Sequence, residues 1–157
     1  MRRVLVAAAA AIAVALPLPA LHAAGDDTPA QASAPADADA EAGKAAIRAQ
    51  NWPAAIDAFT KVAARDPRNA DAQNWLGYAY RKSGNLDQAF KHYNDALRLD
   101  SRHRGAHEYI GEAYLMKGDL GKAKEHLATL DRLCFFGCTE FSQLKQAVAE
   151  YEQKTKK

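Results

Sequence analysis

The sequence lacks the short motifs that mark most enzyme active sites. It contains no G-x-S-x-G nucleophile motif, no glycine-rich phosphate loop and no H-E-x-x-H zinc motif. The adjacent acids Asp26 and Asp27 lie in a low-complexity stretch, outside any segment that would hold them in place. We therefore predict no catalytic residue, no cofactor and no enzymatic activity.

The chain also lacks a large net charge of either sign. The 157 residues include 21 Lys and Arg against 19 Asp and Glu. Removal of the first 24 residues would take away Arg2 and Arg3 but no acid, which leaves 19 basic and 19 acidic side chains. A balanced chain offers no broad basic surface for nucleic acid or an anionic membrane, so we expect neither as a partner.

Long apolar runs are absent after residue 24. The single run before that point is preceded by positive charge and followed by prolines and small residues. Met1-Arg2-Arg3 precedes an apolar stretch over 4–16, and 17–24 contains prolines and ends in small residues. This order predicts a secretory signal peptide over 1–24 and a periplasmic or secreted protein. The alternative is an uncleaved membrane anchor, although the run is shorter than the roughly 20 residues of a membrane span. After cleavage we expect no stable membrane span.

Apolar side chains larger than methyl are almost missing from residues 25–40, which are mostly Ala, Asp, Pro and Ser. Such a segment buries too little surface to offset the entropy lost on ordering. We predict a disordered linker over 25–40.

What the rest of the sequence does contain is an internal repeat of 34 residues. The offset aligns Gly77 with Gly111, Ala79 with Ala113, Tyr80 with Tyr114, Gly84 with Gly118, Leu86 with Leu120 and Ala89 with Ala123. Glycine within a helix costs about 1 kcal/mol relative to alanine, so Gly77 and Gly111 indicate close helix packing. Gly84-Asn85 and Gly118-Asp119 are typical of one helix ending and the next beginning. Each unit is therefore a predicted helical hairpin.

The segment 75–100, WLGYAYRKSGNLDQAFKHYNDALRLD, resembles the tetratricopeptide repeat (TPR) consensus. With Ala70 as position 1, the small and large residues fall where that consensus has them, except that Gln73 and His107 occupy the usually apolar position 4. The resemblance implies an all-α, right-handed α-solenoid of about three helical hairpins, a TPR domain over 41–133. The repeats would be about 36–69, 70–103 and 104–133.

The resemblance further implies that another protein or a peptide segment binds in a groove lined by the first helix of each unit. The corresponding residues are Lys44, Arg48, Asp71, Asn74, Tyr78, Arg81, Lys82, Glu108 and Glu112. The charge of this groove would change from basic in the first unit to acidic in the third. The alternative is that these residues form ordinary solvent-exposed helix faces without a binding role. Because Glu108 and Glu112 would repel a carboxylate, we predict that the chain lacks the clamp for a peptide's terminal carboxylate that some TPR domains carry.

The region 134–157 departs from the repeats. Cys134 and Cys138 are the two cysteines of the chain, and in an oxidising compartment they favour a disulfide; a redox switch, a soft-metal site and free thiols are the alternatives. A following helix over 139–154 carries an apolar stripe on one face: Phe141, Leu144, Val148 and Tyr151. We predict that this helix caps the solenoid, the alternative being a homodimer seam.

The histidines do not suggest a metal site. His92 and His126 occupy equivalent positions one repeat apart, which is too far for one ion, and His103 and His107 have no third ligand nearby in sequence. The sequence as a whole indicates a periplasmic adaptor or assembly factor that binds a protein segment. A thiol-redox or metal-handling accessory protein using Cys134 and Cys138 is the alternative.

Overall fold

The computed structural model describes residues 38–156, and the predicted signal peptide over 1–24 lies outside them. Within this range there are seven α-helices and no strand: α1 (Ala38–Arg48), α2 (Trp52–Arg65), α3 (Ala70–Lys82), α4 (Leu86–Leu99), α5 (Arg104–Met116), α6 (Leu120–Leu133) and α7 (Thr139–Thr155). None of the seven combines the length and apolar character that crossing a membrane requires. The predicted all-α architecture is confirmed.

The first helix agrees with a first repeat beginning at about residue 36, but it overlaps the end of the predicted linker. It starts at Ala38, so residues 38–40 are helical and do not belong to the linker assigned to 25–40. Alanine is the strongest helix former, and Asp39 and Glu41 place negative charge in the first turn, where the helix dipole favours it. The remainder of the predicted linker, 25–37, lies outside the described residues.

The turns within the second and third hairpins follow the predicted chemistry. Gly84 and Gly118 have φ of +87° and +84°, a left-handed conformation that glycine adopts without steric cost. Asn85 then caps α4 by accepting a hydrogen bond from the backbone N–H of Gln88, and Asp119 caps α6 in the same way. Both turns therefore end one helix and begin the next within a few residues.

The helices form two layers. Consecutive helices pack against one another throughout, and α3 also contacts α5, as α5 does α7. Within 38–156, α2, α4 and α6 make no comparable contacts with each other. Helices that approach more closely lie on the inside of a curved stack, so α3, α5 and α7 line the concave surface of the solenoid. Helix α1, the first helix of the first hairpin, continues this layer and lines a shared cavity with α3.

Glycines in the inner helices allow bulky side chains of neighbouring helices to approach. A Cβ atom added to Gly77 would lie 2.5 Å from ring atoms of Tyr93, and one added to Gly111 would lie 2.6 Å from Leu144 Cδ2. Tyr93 and Leu144 are both completely buried. These contacts explain why glycine occupies helix interiors in which alanine would otherwise be favoured.

Helix α7 caps the last repeat, as predicted. Leu144 and Val148 are buried, and Phe141 and Tyr151 pack around them against residues of α5 and α6. The apolar stripe that suggested a homodimer seam is thus covered within the chain itself.

Candidate functional site

The centre of the concave surface is a cluster of aromatic side chains. Trp75 and Tyr78 of α3 have ring centroids 5.9 Å apart, and Tyr109 of α5 lies 4.9 Å from Tyr78. Trp52, at the start of α2, lies 6.3 Å from Tyr78 at its outer side. Of these four aromatic residues, only Tyr78 was predicted to line the groove. The departure at position 4, which moves the aromatic residue to Trp75 and Tyr109, could have identified those two, but Trp52 of α2 is not part of that pattern.

Arg81 lies beneath this cluster and is committed to contacts within the protein. Its Nε donates to the Tyr93 hydroxyl at 3.2 Å, and its Nη2 lies 2.7 Å from Glu112 Oε2. The guanidinium also lies over the rings of Tyr78 and Tyr109, 5.3 and 5.5 Å from their centroids. We expected Arg81 to face a partner, but it is 8% exposed and neutralises Glu112, so it acts as an internal cation.

Two polar groups of the inner helices lack hydrogen-bond partners among the described residues, the Asn74 side-chain carbonyl and the Glu108 carboxyl group. Asn74 of α3 and Glu108 of α5 are each 4% exposed. Asn74 Oδ1 accepts no hydrogen bond, and within 38–156 no hydrogen bond or ion pair involves the Glu108 carboxyl group. Burial raises the pKa of Glu108 to about 7, with smaller contributions from the negative charges of Glu112 and Glu140.

The other predicted groove residues lie towards the ends of the concave layer: Lys44, Arg48, Asp71 and Lys82. Asp71 accepts a hydrogen bond from His103 Nε2 at 3.0 Å, and Lys44 pairs with Glu41 of its own helix. Lys82 and Arg48 are exposed. The structure therefore brings Arg81, Glu112 and Tyr78 into contact and spreads these four along the surface.

The concave surface continues onto the capping helix, which the sequence analysis did not include. A cleft of about 350 Å³ lies between α5 and α7, next to Arg81 and Glu112. Met116 and Leu115 form its apolar side, and Lys154 and Tyr151 of α7 contribute the opposite wall. A ligand lying along the groove would therefore meet four inner helices rather than three.

The unusual residues at position 4 pair with histidines of the following helix. In the second unit, His92 Nδ1 donates to Gln73 Oε1 at 2.8 Å. In the third unit, the Nδ1 atoms of His107 and His126 are 2.9 Å apart. In both pairs the two residues are nineteen positions apart in the sequence. His107 Nε2 donates to the carbonyl of Ser101, so its Nδ1 is the acceptor in that pair. The sequence analysis considered His92 with His126 and missed the true partners. No group of three or more potential metal-ligating His, Cys, Asp or Glu residues occurs within 38–156.

The loop between α6 and α7 holds the two cysteines and two exposed aromatic residues. Cys134 and Cys138 lie within bonding distance of each other, and Cys138 caps α7. Phe135 and Phe136 are 87% and 96% exposed, with their rings packed edge to face. From the sequence, only the two cysteines of this loop were candidates for a role, and the two phenylalanines were not identified as surface residues.

The raised pKa of Glu108 leads to a stability prediction. Because Glu108 titrates higher in the folded protein than in the unfolded chain, the folded state holds more protons between about pH 4.5 and 7, and stability falls as pH rises through this range. We expect Glu108→Gln to raise the free energy of unfolding by about 2 kcal/mol at pH 8 and by almost nothing at pH 4. Urea unfolding of both proteins at the two pH values measures this.

Glu125→Gln is the matched control, since Glu125 is an exposed residue of α6 that pairs with Lys122. Its stability should change by less than about 0.5 kcal/mol at either pH. The buried histidines do not confound the comparison. Burial lowers the pKa of His126 to about 4, and the charge of His107 adds to this effect. Because neither substitution changes these contacts, His126 contributes equally to the stability of every variant and does not affect the difference between them. An equal gain for Glu108→Gln at pH 4 and pH 8 would contradict the prediction.

Comparison with known proteins agrees with this architecture. A family model described as "Tetratricopeptide repeat" matches residues 40–103 and 79–132. No curated protein sequence matches the chain.

Several solved structures share the fold at low sequence identity. The TPR2B domain of yeast Sti1, solved as a complex with pHsp70, has a TM-score of 0.67 and 21% identity over 74% of this chain and 94% of that one. The Sgt2 TPR domain of Aspergillus fumigatus has a TM-score of 0.68 and 22% identity over 76% and 78%. The Yersinia enterocolitica type III secretion chaperone SycD, in complex with a peptide of the translocator YopD, has a TM-score of 0.63 and 19% identity over 75% and 89%.

The family match spans more than half of the chain, and the structure repeats the same helical hairpin over that region. Because their sequence identities to this chain are below 25%, the solved structures show a shared fold only. The residue pattern, the helix arrangement and the family match all lead to one assignment: the chain belongs to the tetratricopeptide repeat family.

Proposed function

We propose that this protein is an adaptor or assembly factor that binds a segment of another protein on the concave surface formed by α1, α3, α5 and α7. The observation that carries the proposal is the concentration of aromatic rings and unpartnered polar atoms on this one surface. Trp75, Tyr78 and Tyr109 offer large, rigid contact area, and Asn74 and Glu108 offer acceptors that nothing in 38–156 satisfies. Aromatic side chains of this kind dominate the energetics of protein interfaces.

Two of the solved structures support a protein segment as the ligand. Yeast Sti1 and the Yersinia chaperone SycD were each solved with another protein or a peptide of one. By analogy, we propose an extended or helical peptide segment as the ligand here. We retain the prediction that the chain lacks a carboxylate clamp, because Glu108 and Glu112 occupy the third unit of the groove and Arg81 is already paired.

We further propose that the protein acts in the periplasm or outside the cell, without catalytic activity. The order of charged, apolar and small residues over 1–24 supports export. The approach of Cys134 to Cys138 is consistent with a disulfide formed after export, which would tie the end of α6 to the start of α7.

A thiol function is the second candidate, and the exposed loop is the observation that favours it. Cys134 and Cys138 flank Phe135 and Phe136, so an oxidised or reduced partner could recognise the rings beside the sulfur atoms. Under this alternative the repeats would only position the loop.

Site-specific photocrosslinking in the envelope of the native cells tests the two candidates. Lys82 is an exposed residue of the inner helix α3, whereas Lys91 is an exposed lysine of the outer helix α4. We would replace each in turn by p-benzoylphenylalanine and identify the crosslinked protein. A Cys134→Ser/Cys138→Ser variant would carry each of the same two probes.

The proposed function predicts a protein crosslinked from position 82, not from position 91, and retained without the cysteines. A partner lost only when the cysteines are replaced would favour the thiol function. Crosslinking from position 91 alone would place the interface on the outer helices and contradict the groove. Recovery of the protein from the cytoplasm with residues 1–24 intact would refute export.

A further inference from the structure

The carboxyl group of Glu108 has no pairing cation among residues 38–156. Arg81 is the cation close to it, and Arg81 is already paired with Glu112 at 2.7 Å and with the Tyr93 hydroxyl. Glu140, from the first turn of α7, adds a second carboxylate nearby, which pairs only at 3.8 Å with Arg104. The inner surface therefore has an excess of carboxylates at the place where α3, α5 and α7 meet.

Asn74 provides an independent sign of a missing donor at the same place. Its side chain is 96% buried, and its Oδ1 accepts no hydrogen bond. A Cβ atom added to Gly105 would lie 3.2 Å from Asn74 Nδ2, so the amide rests against the first turn of α5. Gly105 and Glu108 are three residues apart and share one face of that helix. A buried polar atom left unpaired costs about 1 to 3 kcal/mol, which a ligand donor would recover.

On this basis, and resting on the proposed groove function, we propose that the groove recognises a Lys or Arg side chain of the bound segment. The cation would pair with the Glu108 carboxylate and donate to Asn74 Oδ1, and its aliphatic stem would lie along the rings of Trp75 and Tyr109. Both groups that await a partner are acceptors, and the neighbouring rings present electron-rich faces. The ligand is thus of opposite charge to the acidic peptides that carboxylate clamps bind.

No cation of residues 38–156 pairs with the Glu108 carboxyl group. Residues 25–37 contain no Lys or Arg and three Asp, so their charge is wrong for the site. Lys154, in the last turn of α7, lines the cleft next to Arg81 and Glu112 and lies about 20 Å along the helix from Glu140 at 1.5 Å per residue. A separate basic segment is the occupant that the charges favour.

The test uses short random peptides displayed on phage and selected against the full protein. Binders that crosslink to p-benzoylphenylalanine at position 82, and not at position 91, are groove ligands. We expect these to share a Lys or Arg at one position. Glu108→Gln should weaken their binding at least tenfold, whereas Glu125→Gln, which removes the same charge from the outer helix α6, should leave it unchanged.

Replacing the shared lysine by norleucine in a selected peptide completes a double-mutant cycle. The loss should be at least tenfold with the unaltered protein and absent with Glu108→Gln. Groove ligands with no shared cation, or ones that bind Glu108→Gln equally well, would overturn this inference while leaving the proposed function intact. Selected peptides that never crosslink at position 82 would count against the proposed function, and the inference would fall with it.

Discussion

Replacing Gly77 by alanine is expected to lower the free energy of unfolding by about 2 to 3 kcal/mol, although alanine is the better helix former by about 1 kcal/mol. The new Cβ atom would lie 2.5 Å from Cδ1 and Cε1 of the Tyr93 ring. Tyr93 is completely buried, and Arg81 holds its hydroxyl group, so the ring has no free space into which it can rotate. Either α3 and α4 must separate or Tyr93 must leave its rotamer, and both disrupt the packing of the second hairpin.

Gly121→Ala is the matched control for this prediction. Gly121 lies in the first turn of α6, is exposed, and the nearest atom to an added Cβ is Asp119 Oδ1 at 3.5 Å. The same substitution should therefore stabilise the protein, by up to about 1 kcal/mol. Urea unfolding followed by circular dichroism measures both variants. Two changes of the same sign would show that helix propensity, rather than the contact with Tyr93, decides the effect at Gly77.

Replacing Arg81 by methionine is expected to cost about 2 to 4 kcal/mol of stability. The substitution keeps an unbranched apolar stem but removes the guanidinium group, which leaves Glu112 without its cation and the Tyr93 hydroxyl without its donor. It also leaves the carboxylates of Glu108 and Glu112 side by side on α5 with no positive charge between them. Urea unfolding at pH 7.5 measures the loss.

A double variant separates the charge from the packing. Arg81→Met/Glu112→Gln removes the uncompensated carboxylate, so we expect it to recover at least about 1 kcal/mol of the loss. Lys82→Met, on the same helix but exposed, should change stability by less than about 0.5 kcal/mol. If the double variant were no more stable than Arg81→Met, the ion pair would not be the source of the effect.

The expected effect of Arg81 also bears on how binding is tested. A substitution that reverses its charge would disrupt the packing of the groove rather than only change its surface charge, because the residue is 8% exposed and bridges α3 to α4 and α5. Loss of a partner in such a variant would not identify a contact residue. Positions such as Lys82, which is exposed, allow the groove to be probed without that complication.

Most of the fold could be predicted from the sequence, because it follows from local and periodic signals. The 34-residue offset locates the hairpins, and Gly84-Asn85 and Gly118-Asp119 mark turns whose chemistry is set by neighbouring residues. The stripe on α7 predicts a cap because an apolar face must be covered. The linker predicted over 25–40 overlaps the first repeat predicted over 36–69, and α1 begins at Ala38, because a run of Ala and Asp suits a linker and a helix N-terminus equally well.

The candidate site was predicted less completely, because its properties depend on residues far apart in the chain. The repeat register placed Asn74, Arg81, Glu108 and Glu112 on the inner helices, and the structure places them there. It could not show that Arg81 is neutralised by Glu112, nor that Glu108 is left without a cation. The pairing of Gln73 with His92 and of His107 with His126 was likewise hidden, although both pairs repeat at the same spacing.

The sequence by itself determined the family, the hairpin as the unit, the first helix of each hairpin as the inner one and the need for a capping helix, because these depend on spacing along one chain. Only the tertiary structure determined which inward-facing charged groups form ion pairs and which do not. The pairing depends on distances between side chains of α3, α5 and α7, because a difference of a few ångströms determines whether a buried charged group has a partner within the protein or is left for a ligand.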